Sequence, residues 1–182
     1  MEVLEAIKGR RSIRKYKPTP VDDKTLELVL DAARWAPSWA NTQCWRFVVV
    51  RDNNIKAQLA DMVGENPAVN AIRNAPVVIV ACAELGKSGY YNGAVASDEG
   101  DWHMFDVALA MQNLALMAHS LGLGTVHVGL HFDTKKVASI LDIPPGFCAV
   151  EMMPLGYPDQ EPKPRPRKEL SELVFYDKFG RR

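Results

Sequence analysis

The chain has 182 residues, of which 47% are hydrophobic and 24% charged, a composition that argues against a disordered segment, a fibre or a disulfide scaffold. The length favours one domain over residues 1–182, with a core that needs no disulfide or metal to hold it together. The formal net charge is zero, and a balanced total weakens the case for a nucleic-acid-binding protein.

The spacing of apolar residues predicts alternating helices and strands in the first half of the chain. A short helix over 2–8 comes first, and a second helix begins at 21–23, where an Asp can cap it, and ends before Pro37. β-Branched residues then predict a strand over 47–50. We expect three further elements before residue 84: a helix over 54–63, a break at 66–67 and a buried strand over 77–80.

The second half is predicted to begin with a glycine-rich loop over 84–100. The segment 101–121 has the longest helical pattern and is apolar almost all round, which indicates a helix buried in the core or in a subunit interface. The remaining elements are a strand over 125–130, a helix from Asp133 to the prolines at 144–145, a strand over 147–153 and an extended proline-rich C-terminal segment with apolar residues at 170–176. About five helices and four strands in mixed order predict an α+β fold.

The cysteines and the lengths of the apolar runs indicate in which cellular compartment the protein is expected. Cys44, Cys82 and Cys148 are far apart and odd in number, so no disulfide framework is visible and a reducing compartment fits best. The longest apolar run has nine residues, 75–83, against the roughly 20 that span a bilayer. The N-terminus lacks the pattern of a signal peptide. We therefore expect a cytoplasmic protein with no membrane partner.

Several partial motifs do not match the sites that they resemble. Residues 86–88 (GKS) look like the end of a phosphate-binding loop, but that loop needs another glycine five residues earlier. Gly122 and Gly124 follow a helix and precede a strand, the reverse of the dinucleotide-binding order. His127 and His131 would need zinc ligands distant in sequence, so we expect no metal site. No G-x-S-x-G motif is present, and nothing specifies a catalytic triad.

Ten of the 22 basic residues lie in two short segments. Residues 8–17 (KGRRSIRKYK, the N-terminal basic segment) carry six positive charges, and residues 163–168 (KPRPRK, the C-terminal basic segment) carry four. Neither contains an acidic residue, which leaves 12 basic against 22 acidic residues elsewhere. Because arginine binds phosphate oxygens in bidentate geometry, the two segments could close on one phosphate. The alternative is that they are solvated basic turns.

Between these segments, a polar loop leads into an apolar strand. Residues 36–47 read APSWANTQCWRF, and the side chains of Asn41 and Gln43 each offer a hydrogen-bond donor and an acceptor. A planar heterocycle with carbonyls and ring nitrogens requires such pairs. The alternative is an ordinary loop whose amides cap backbone groups.

The chain resembles the FMN-dependent nitroreductase family. Four stretches in family order carry the resemblance and cover nearly the whole chain: RRSIRKY at 10–16, APSWANTQCWRFVVV at 36–50, FDVALAMQNLALMAHSLGLGTVHVG at 105–129 and PLGYPDQEPKPRPRK at 154–168. The resemblance implies an α+β fold with a central, mostly antiparallel sheet flanked by helices. It also implies a homodimer with FMN at the interface and a long helix around Asp106, Gln112 and Asn113 in the dimer core.

The resemblance further implies which residues bind the cofactor. Arg10, Ser12 and Arg14 would hold the FMN phosphate and ribityl chain, with Arg11 contributing mainly its main chain. Arg167, with Arg165 or Lys168, would complete the phosphate site. The residues expected around the flavin ring are Pro37, Ser38 and Trp39 from the partner subunit, the amides Asn41 and Gln43, and Val128 and Gly129 near N5.

The chain departs from the family pattern at three places. Cys44 stands where the family usually has Pro, His127 stands where Trp is common, and the stretch 130–132 is one residue longer than in many relatives. Four aromatic or imidazole side chains are candidates for the substrate pocket, although the residues alone favour ordinary exposed or core positions for them: Tyr90, Tyr91, His131 and Phe132.

The expected reaction follows from the resemblance. NAD(P)H would pass a hydride through flavin N5 to an electron-poor acceptor, a nitroaromatic or a quinone, by a ping-pong mechanism, and no protein acid or base is required. One alternative is a family member that is not a reductase: a dehalogenase-like, desaturase-like or non-catalytic flavin-binding protein. Another is a module that binds anions or nucleic acid through the two basic segments.

Overall fold

A five-stranded antiparallel sheet lies at the centre of the fold, in a computed structural model that describes residues 1–129 and 133–181. The strands run in the order β1–β2–β7–β5, and β6 also pairs with β7. A separate two-stranded sheet joins β3 to β4. The strands are β1 (Trp45–Val50), β2 (Val77–Glu84), β3 (Tyr90–Tyr91), β4 (Ala94–Val95), β5 (Gly124–Thr125), β6 (Val128–Gly129) and β7 (Phe147–Gly156).

Helices cover both faces of the central sheet. The helices are α1 (Val3–Gly9), α2 (Asp23–Arg34), α3 (Asn53–Asp61), α4 (Val69–Asn74), α5 (His103–Ser120), α6 (Thr134–Ile140) and α7 (Leu170–Leu173). Helices α2 and α5 pack on one face, where Met153 of β7 is buried. Helices α3, α4 and α6 pack on the other, where the adjacent Met152 is buried. Because successive strand residues point to opposite faces, β7 contributes to both halves of the core. The predicted α+β class and antiparallel sheet are confirmed.

Aspartate side chains fix the starts of two predicted helices. The Asp22 carboxylate accepts a hydrogen bond from the Thr25 N–H of α2 at 2.9 Å. Asp133 accepts from the N–H groups of Lys135 and Lys136 at the start of α6, at 3.0 and 3.2 Å. Each bond satisfies a backbone donor that has no partner inside the helix, and both predicted caps are confirmed.

Helix α5 runs along the core with one buried face. Its buried residues are Asp106, Val107, Ala110, Met111, Leu114, Ala115 and Ala118. Within one chain, Phe105 and Gln112 are exposed, so the predicted burial on most sides holds for one face only. Among the helices of residues 1–129 and 133–181, none combines the length and the apolarity that a bilayer crossing needs.

The structure corrects two predicted elements and adds one that was not predicted. The strand predicted over 125–130 consists of two short strands, β5 and β6, with an interruption at 126–127. Both pair with β7 in the same register. Residue 130, the last of the predicted strand, lies outside the described residues. The loop predicted over 84–100 contains the β3–β4 hairpin. Helix α4 was not predicted, because six residues are too few to show a helical period.

Candidate functional site

The edge of the central sheet holds the N-terminal basic segment in place. Ser12 forms a parallel bridge with Thr125 of β5, and the Ile13 N–H donates to the Thr125 carbonyl at 2.8 Å. A Cβ on Gly124 would lie 2.6 Å from Cγ1 of Ile13, so only glycine allows this approach. The sequence alone indicates no role for Gly124, because its neighbour Ile13 is distant in sequence.

The chain returns to the same edge after β7. The Lys17 N–H donates to the Tyr157 carbonyl, and the Asp159 N–H donates to the Lys15 carbonyl, both at 2.9 Å. The Tyr16 hydroxyl donates to the Ile13 carbonyl at 2.6 Å. Residues 157–159 therefore lie beside 15–17. These contacts place the start of the proline-rich segment next to the N-terminal basic segment.

The two basic segments line one cleft of about 660 Å³. Its walls are Arg10, Arg11, Ser12 and Arg14 on one side and residues 162–167, including Arg165 and Arg167, on the other. Lys168 does not line it. Positive charge from both ends of the chain thus converges on one cleft (the basic cleft). A neighbouring cleft of about 500 Å³ shares Arg10 and Arg11 and extends to His119, Thr125 and Gln160.

Arg10 is electrostatically strained in this arrangement. Its partial burial, followed by the charges of Arg11 and Arg167, lowers the pKa of the guanidinium. Its Nη1 atom is buried and has no hydrogen-bond partner among the described residues. Within residues 1–129 and 133–181, no carboxylate forms an ion pair with Arg10, Arg14 or Arg167. A buried donor without an acceptor is unfavourable, and an anion in the cleft would remove this penalty.

His119 lies beside the basic cleft and was missed by the sequence analysis. Burial, with the charges of Arg10 and Arg11, lowers the pKa of His119, which favours the neutral imidazole. A Cβ on Gly9 would lie 2.6 Å from its Nε2 atom, so α1 and the end of α5 are in close contact. No local pattern in the sequence indicates this contact.

The polar loop over 37–43 has an unusual backbone. Ala40, Asn41 and Gln43 have φ of 43°, 57° and 48°, in the left-handed region that residues other than glycine rarely occupy. The Gln43 N–H donates to Ser38 Oγ at 3.0 Å. The Trp39 N–H donates to the carboxylate of Asp106 at 3.1 Å, which fastens the loop to α5. Such strain persists only where the surroundings enforce it.

Asp106 organises the base of this loop. It is buried, and its carboxylate also accepts a hydrogen bond from the Cys44 thiol at 3.7 Å. Burial, and then Asp106, raise the pKa of Cys44 to about 12. The sequence analysis placed Asp106 in a dimer core on resemblance. One feature of the sequence could have indicated a special role for Asp106: no other Asp, Glu, Lys or Arg occurs in the 18 residues of α5.

The predicted amide pair is exposed on the loop. Gln43 Nε2 donates to Asn41 Oδ1 at 3.2 Å, and both side chains face solvent. Pro37 is exposed, while Ser38 and Trp39 are partly buried. The Trp39 ring lies 6.0 Å from the ring of Trp102. The two clefts lined by Arg10 contain no residue of this loop, so within one chain the loop and the basic cleft are separate.

The remaining predicted residues are dispersed. Val128 is buried in the core, so only its main chain is available to a ligand, while Gly129 is exposed at the end of β6. Tyr90 is partly buried, and Tyr91 is 70% exposed on β3. His131 and Phe132, the other two pocket candidates, lie outside the described residues.

Known proteins share both the sequence and the fold. The sequence profile of the nitroreductase family matches residues 7–73 and 64–157. A protein of Methanothermobacter thermautotrophicus, whose description names an NADH dehydrogenase or NAD(P)H nitroreductase, is 35% identical over 168 residues, 91% of this chain and 82% of its own. The NADPH-flavin oxidoreductase of Vibrio harveyi is 30% identical over 180 residues, 97% of this chain and 74% of its own.

A solved structure extends the comparison. The structure of the NADPH:FMN oxidoreductase of Vibrio harveyi in complex with NAD⁺ superimposes with a TM-score of 0.83 at 29% identity. The superposition covers 97% of this chain and 77% of that one.

Proposed function

Because the chain belongs to the nitroreductase family, we propose that it is an NAD(P)H-dependent FMN oxidoreductase. The names of its relatives support this assignment: NADPH-flavin oxidoreductase, NAD(P)H-dependent FMN reductase and NADPH:FMN oxidoreductase. The proposed functional unit is a homodimer of one domain over residues 1–182.

The observation that carries the proposal is the convergence of the basic segments around Arg10. A phosphate monoester is doubly charged, planar arginine groups match its oxygens, and the buried Nη1 atom of Arg10 lacks an acceptor. The residues present therefore fit the phosphate of FMN. Ser12, on the wall of the same cleft, can add a hydroxyl donor.

Each basic residue has a proposed part in holding this phosphate. Arg10, Ser12 and Arg14 bind the phosphate and ribityl chain, and Arg167 closes the site from the C-terminal segment. Arg165 lines the basic cleft whereas Lys168 does not, which favours Arg165 as the second C-terminal cation. Arg11 contributes mainly its main chain, because its Nη1 donates to the Lys8 and Arg10 carbonyls, at 2.6 and 2.9 Å.

The flavin ring is proposed to lie between two subunits. Pro37, Ser38 and Trp39 would pack on it from the partner subunit, which accounts for the separation of the loop and the basic cleft within one chain. Asn41 and Gln43 would bond its polar edge, and Val128 and Gly129 would lie beside it. Asp106 then serves the site by holding the Trp39 N–H and with it the path of the loop.

Exposed apolar side chains at both chain ends support a dimer. Val3 of α1 is 73% exposed, and Phe179 near the C-terminus is 94% exposed. Other exposed apolar residues in the two regions are Leu4, Ile7, Leu170, Leu173, Val174 and Tyr176. Exposed apolar surface on this scale is typical of a subunit interface, and we propose that a second copy of the chain covers it.

When bound, FMN supplies hydride chemistry at N5, taking two electrons from NAD(P)H and giving them to an electron-poor acceptor. We propose a nitroaromatic or a quinone as the acceptor and a ping-pong order, in which the oxidised nicotinamide leaves before the acceptor enters. The chain's own residues bind and orient the phosphate through Arg10, Ser12 and Arg167, and they shape the ring site through the loop at 37–43.

Comparing FMN with riboflavin tests the phosphate site, since riboflavin lacks the phosphate. Arg167→Ala should weaken FMN binding by roughly ten-fold or more, because charge-assisted hydrogen bonds contribute about 1.5–3 kcal/mol, and should leave riboflavin binding nearly unchanged. Arg181→Ala removes another C-terminal arginine, which pairs with Asp177, and serves as the control. Equal loss for both flavins, or no flavin binding by the wild-type chain, would contradict the proposal.

Steady-state kinetics test the reaction and separate it from the alternatives. The FMN-loaded protein should oxidise NADH or NADPH with a quinone or a nitroarene, and the double-reciprocal plots should be parallel. A protein that binds FMN but is not reduced by either nucleotide would be one of the non-reductase members of the family. Salt-dependent binding of oligonucleotides without flavin uptake would instead support the nucleic-acid-binding alternative.

A further inference from the structure

A cysteine, a histidine and an aspartate that have no assigned part in cofactor binding contact one another in succession. The Sγ atom of Cys148, near the start of β7, lies 3.7 Å from Nε2 of His103. The Nδ1 atom of His103, the first residue of α5, lies 2.8 Å from Oδ1 of Asp101. Cys148, which is distant in sequence, thus meets the neighbouring residues Asp101 and His103 in the arrangement of nucleophile, base and orienting carboxylate.

Asp101 is held rigidly at one end of this row. Its Oδ2 accepts a hydrogen bond from the Gly86 N–H at 2.8 Å, and its Oδ1 accepts from the His103 N–H at 3.0 Å. Although burial acts in the other direction, these bonds hold the pKa of Asp101 below its ordinary value. Asp101 therefore stays ionised and fixes the orientation of the imidazole ring.

The contacts of His103 favour its protonated form. The hydrogen bond with Cys148 raises the pKa of His103, and so does the contact with Asp101. Burial acts in the opposite direction, and the net result is a rise from 6.5 to about 9. A protonated imidazole beside a sulfur atom stabilises the thiolate, which is the nucleophilic form of cysteine.

The other two cysteines provide a contrast within the same chain. Cys44 and Cys82 are 0% and 2% exposed, and burial raises their pKa values to about 12 and about 11. Cys148 is partly exposed and is the cysteine in contact with an imidazole. Its surroundings therefore differ from those of Cys44 and Cys82 in both exposure and neighbouring groups.

We propose that Cys148 is a nucleophilic thiol that forms covalent adducts with small electron-poor alkenes, such as enones and quinones. Its thiolate adds to the electrophilic carbon, a C–S bond forms, and the carbon–carbon π bond breaks. The electron pair moves to the adjacent activated carbon, which takes a proton from the His103 imidazolium. Nothing leaves, and no external oxidant or reductant is needed. His103 contacts the reacting sulfur, whereas Asp101 is a positioning residue that acts through His103.

Labelling the full-length, FMN-loaded protein with N-ethylmaleimide, an electron-poor alkene, tests the proposal. Peptide mass spectrometry at neutral pH should find the adduct on Cys148 well before Cys44 or Cys82. His103→Asn should slow labelling of Cys148 by roughly ten-fold or more, because it removes the cation beside the sulfur. Asp101→Asn should slow it less. His127→Asn is the matched control, since His127 also pairs with a carboxylate, Glu151 at 2.6 Å, and should leave the rate unchanged.

A spectroscopic measurement separates activation from a loss of structure. The ultraviolet absorbance of the thiolate, taken as the difference between wild type and Cys148→Ser, should decrease in the backgrounds of His103→Asn and Asp101→Asn. The far-ultraviolet circular dichroism of these variants should stay that of the folded protein. Labelling of Cys148 no faster than of Cys44, or an unchanged rate in a folded His103→Asn variant, would overturn the proposal.

Discussion

Arg10 shows how a single residue can be placed for binding rather than for stability. Its guanidinium is partly buried, Arg11 and Arg167 lower its pKa, and its Nη1 atom has no acceptor among the described residues. Like charges and an unsatisfied buried donor both disfavour the empty site. Residues that make a site competent for a ligand often reduce the stability of the protein without it.

Replacing Arg10 should therefore separate stability from affinity. We expect Arg10→Ala to leave the melting temperature of the FMN-free protein unchanged or raised, and to weaken FMN binding by about ten- to hundred-fold. Differential scanning calorimetry and a fluorescence titration measure the two quantities. A marked fall in the melting temperature of the FMN-free protein would show instead that Arg10 supports the fold.

His103 predicts how stability depends on pH. Because its pKa is raised in the folded state, from 6.5 to about 9, the folded chain binds the proton more tightly than the unfolded chain. The stabilisation is fully present below pH 6.5 and is lost as the pH rises towards about 9. The difference in unfolding free energy between wild type and His103→Gln, measured in urea, should shrink over this range. A constant difference would contradict the prediction.

At the scale of elements, α5 connects the core to the polar loop through Asp106. Asp106→Ala leaves the Trp39 N–H without its acceptor, and we expect a loss of about 1–3 kcal/mol in unfolding free energy. The strained backbone at Ala40 and Asn41 should then relax. Glu27→Ala, which removes an exposed carboxylate of α2, is the control and should change stability little. Equal effects of the two substitutions would rule out the proposed anchor.

The β5 edge controls the position of the N-terminal basic segment. Gly124→Ala would place a methyl group against Ile13 and push the segment away from the sheet. We expect FMN affinity to fall by about ten-fold or more. The far-ultraviolet circular dichroism should change little, because the rest of the sheet keeps its pairing. Isothermal titration calorimetry measures the affinity. Unaltered FMN binding would mean that the close approach has no role in the site.

At the scale of the whole molecule, the site is proposed to need a second copy of the chain. Leu4 of α1 is exposed in one chain, so Leu4→Asp should not disturb a monomer. In a dimer that buries α1 it should weaken association and flavin retention together. Light scattering after gel filtration gives the mass, and the flavin absorbance gives the occupancy. A stable monomer of the wild-type chain that retains FMN would contradict the interfacial site.

Local patterns predicted much of the fold, for reasons visible in particular elements. The apolar run after residue 76 forms β2, and Asp22 and Asp133 cap helices, because strand preference and capping depend on neighbours in sequence. The interruption between β5 and β6 and the helix α4 were not predicted. One depends on pairing with the distant β7, and the other is too short to show a period.

The sequence by itself determined the α+β class, the two basic segments and the polar loop, because composition and spacing are local properties of a chain. Only the tertiary structure decided that the segments share one cleft, since the contact of 157–159 with 15–17 joins parts that are far apart in sequence. It also decided that Gly124 faces Ile13 and that Cys148 contacts His103. Such contacts arise when the sheet brings distant residues together, and no periodicity in the chain encodes them.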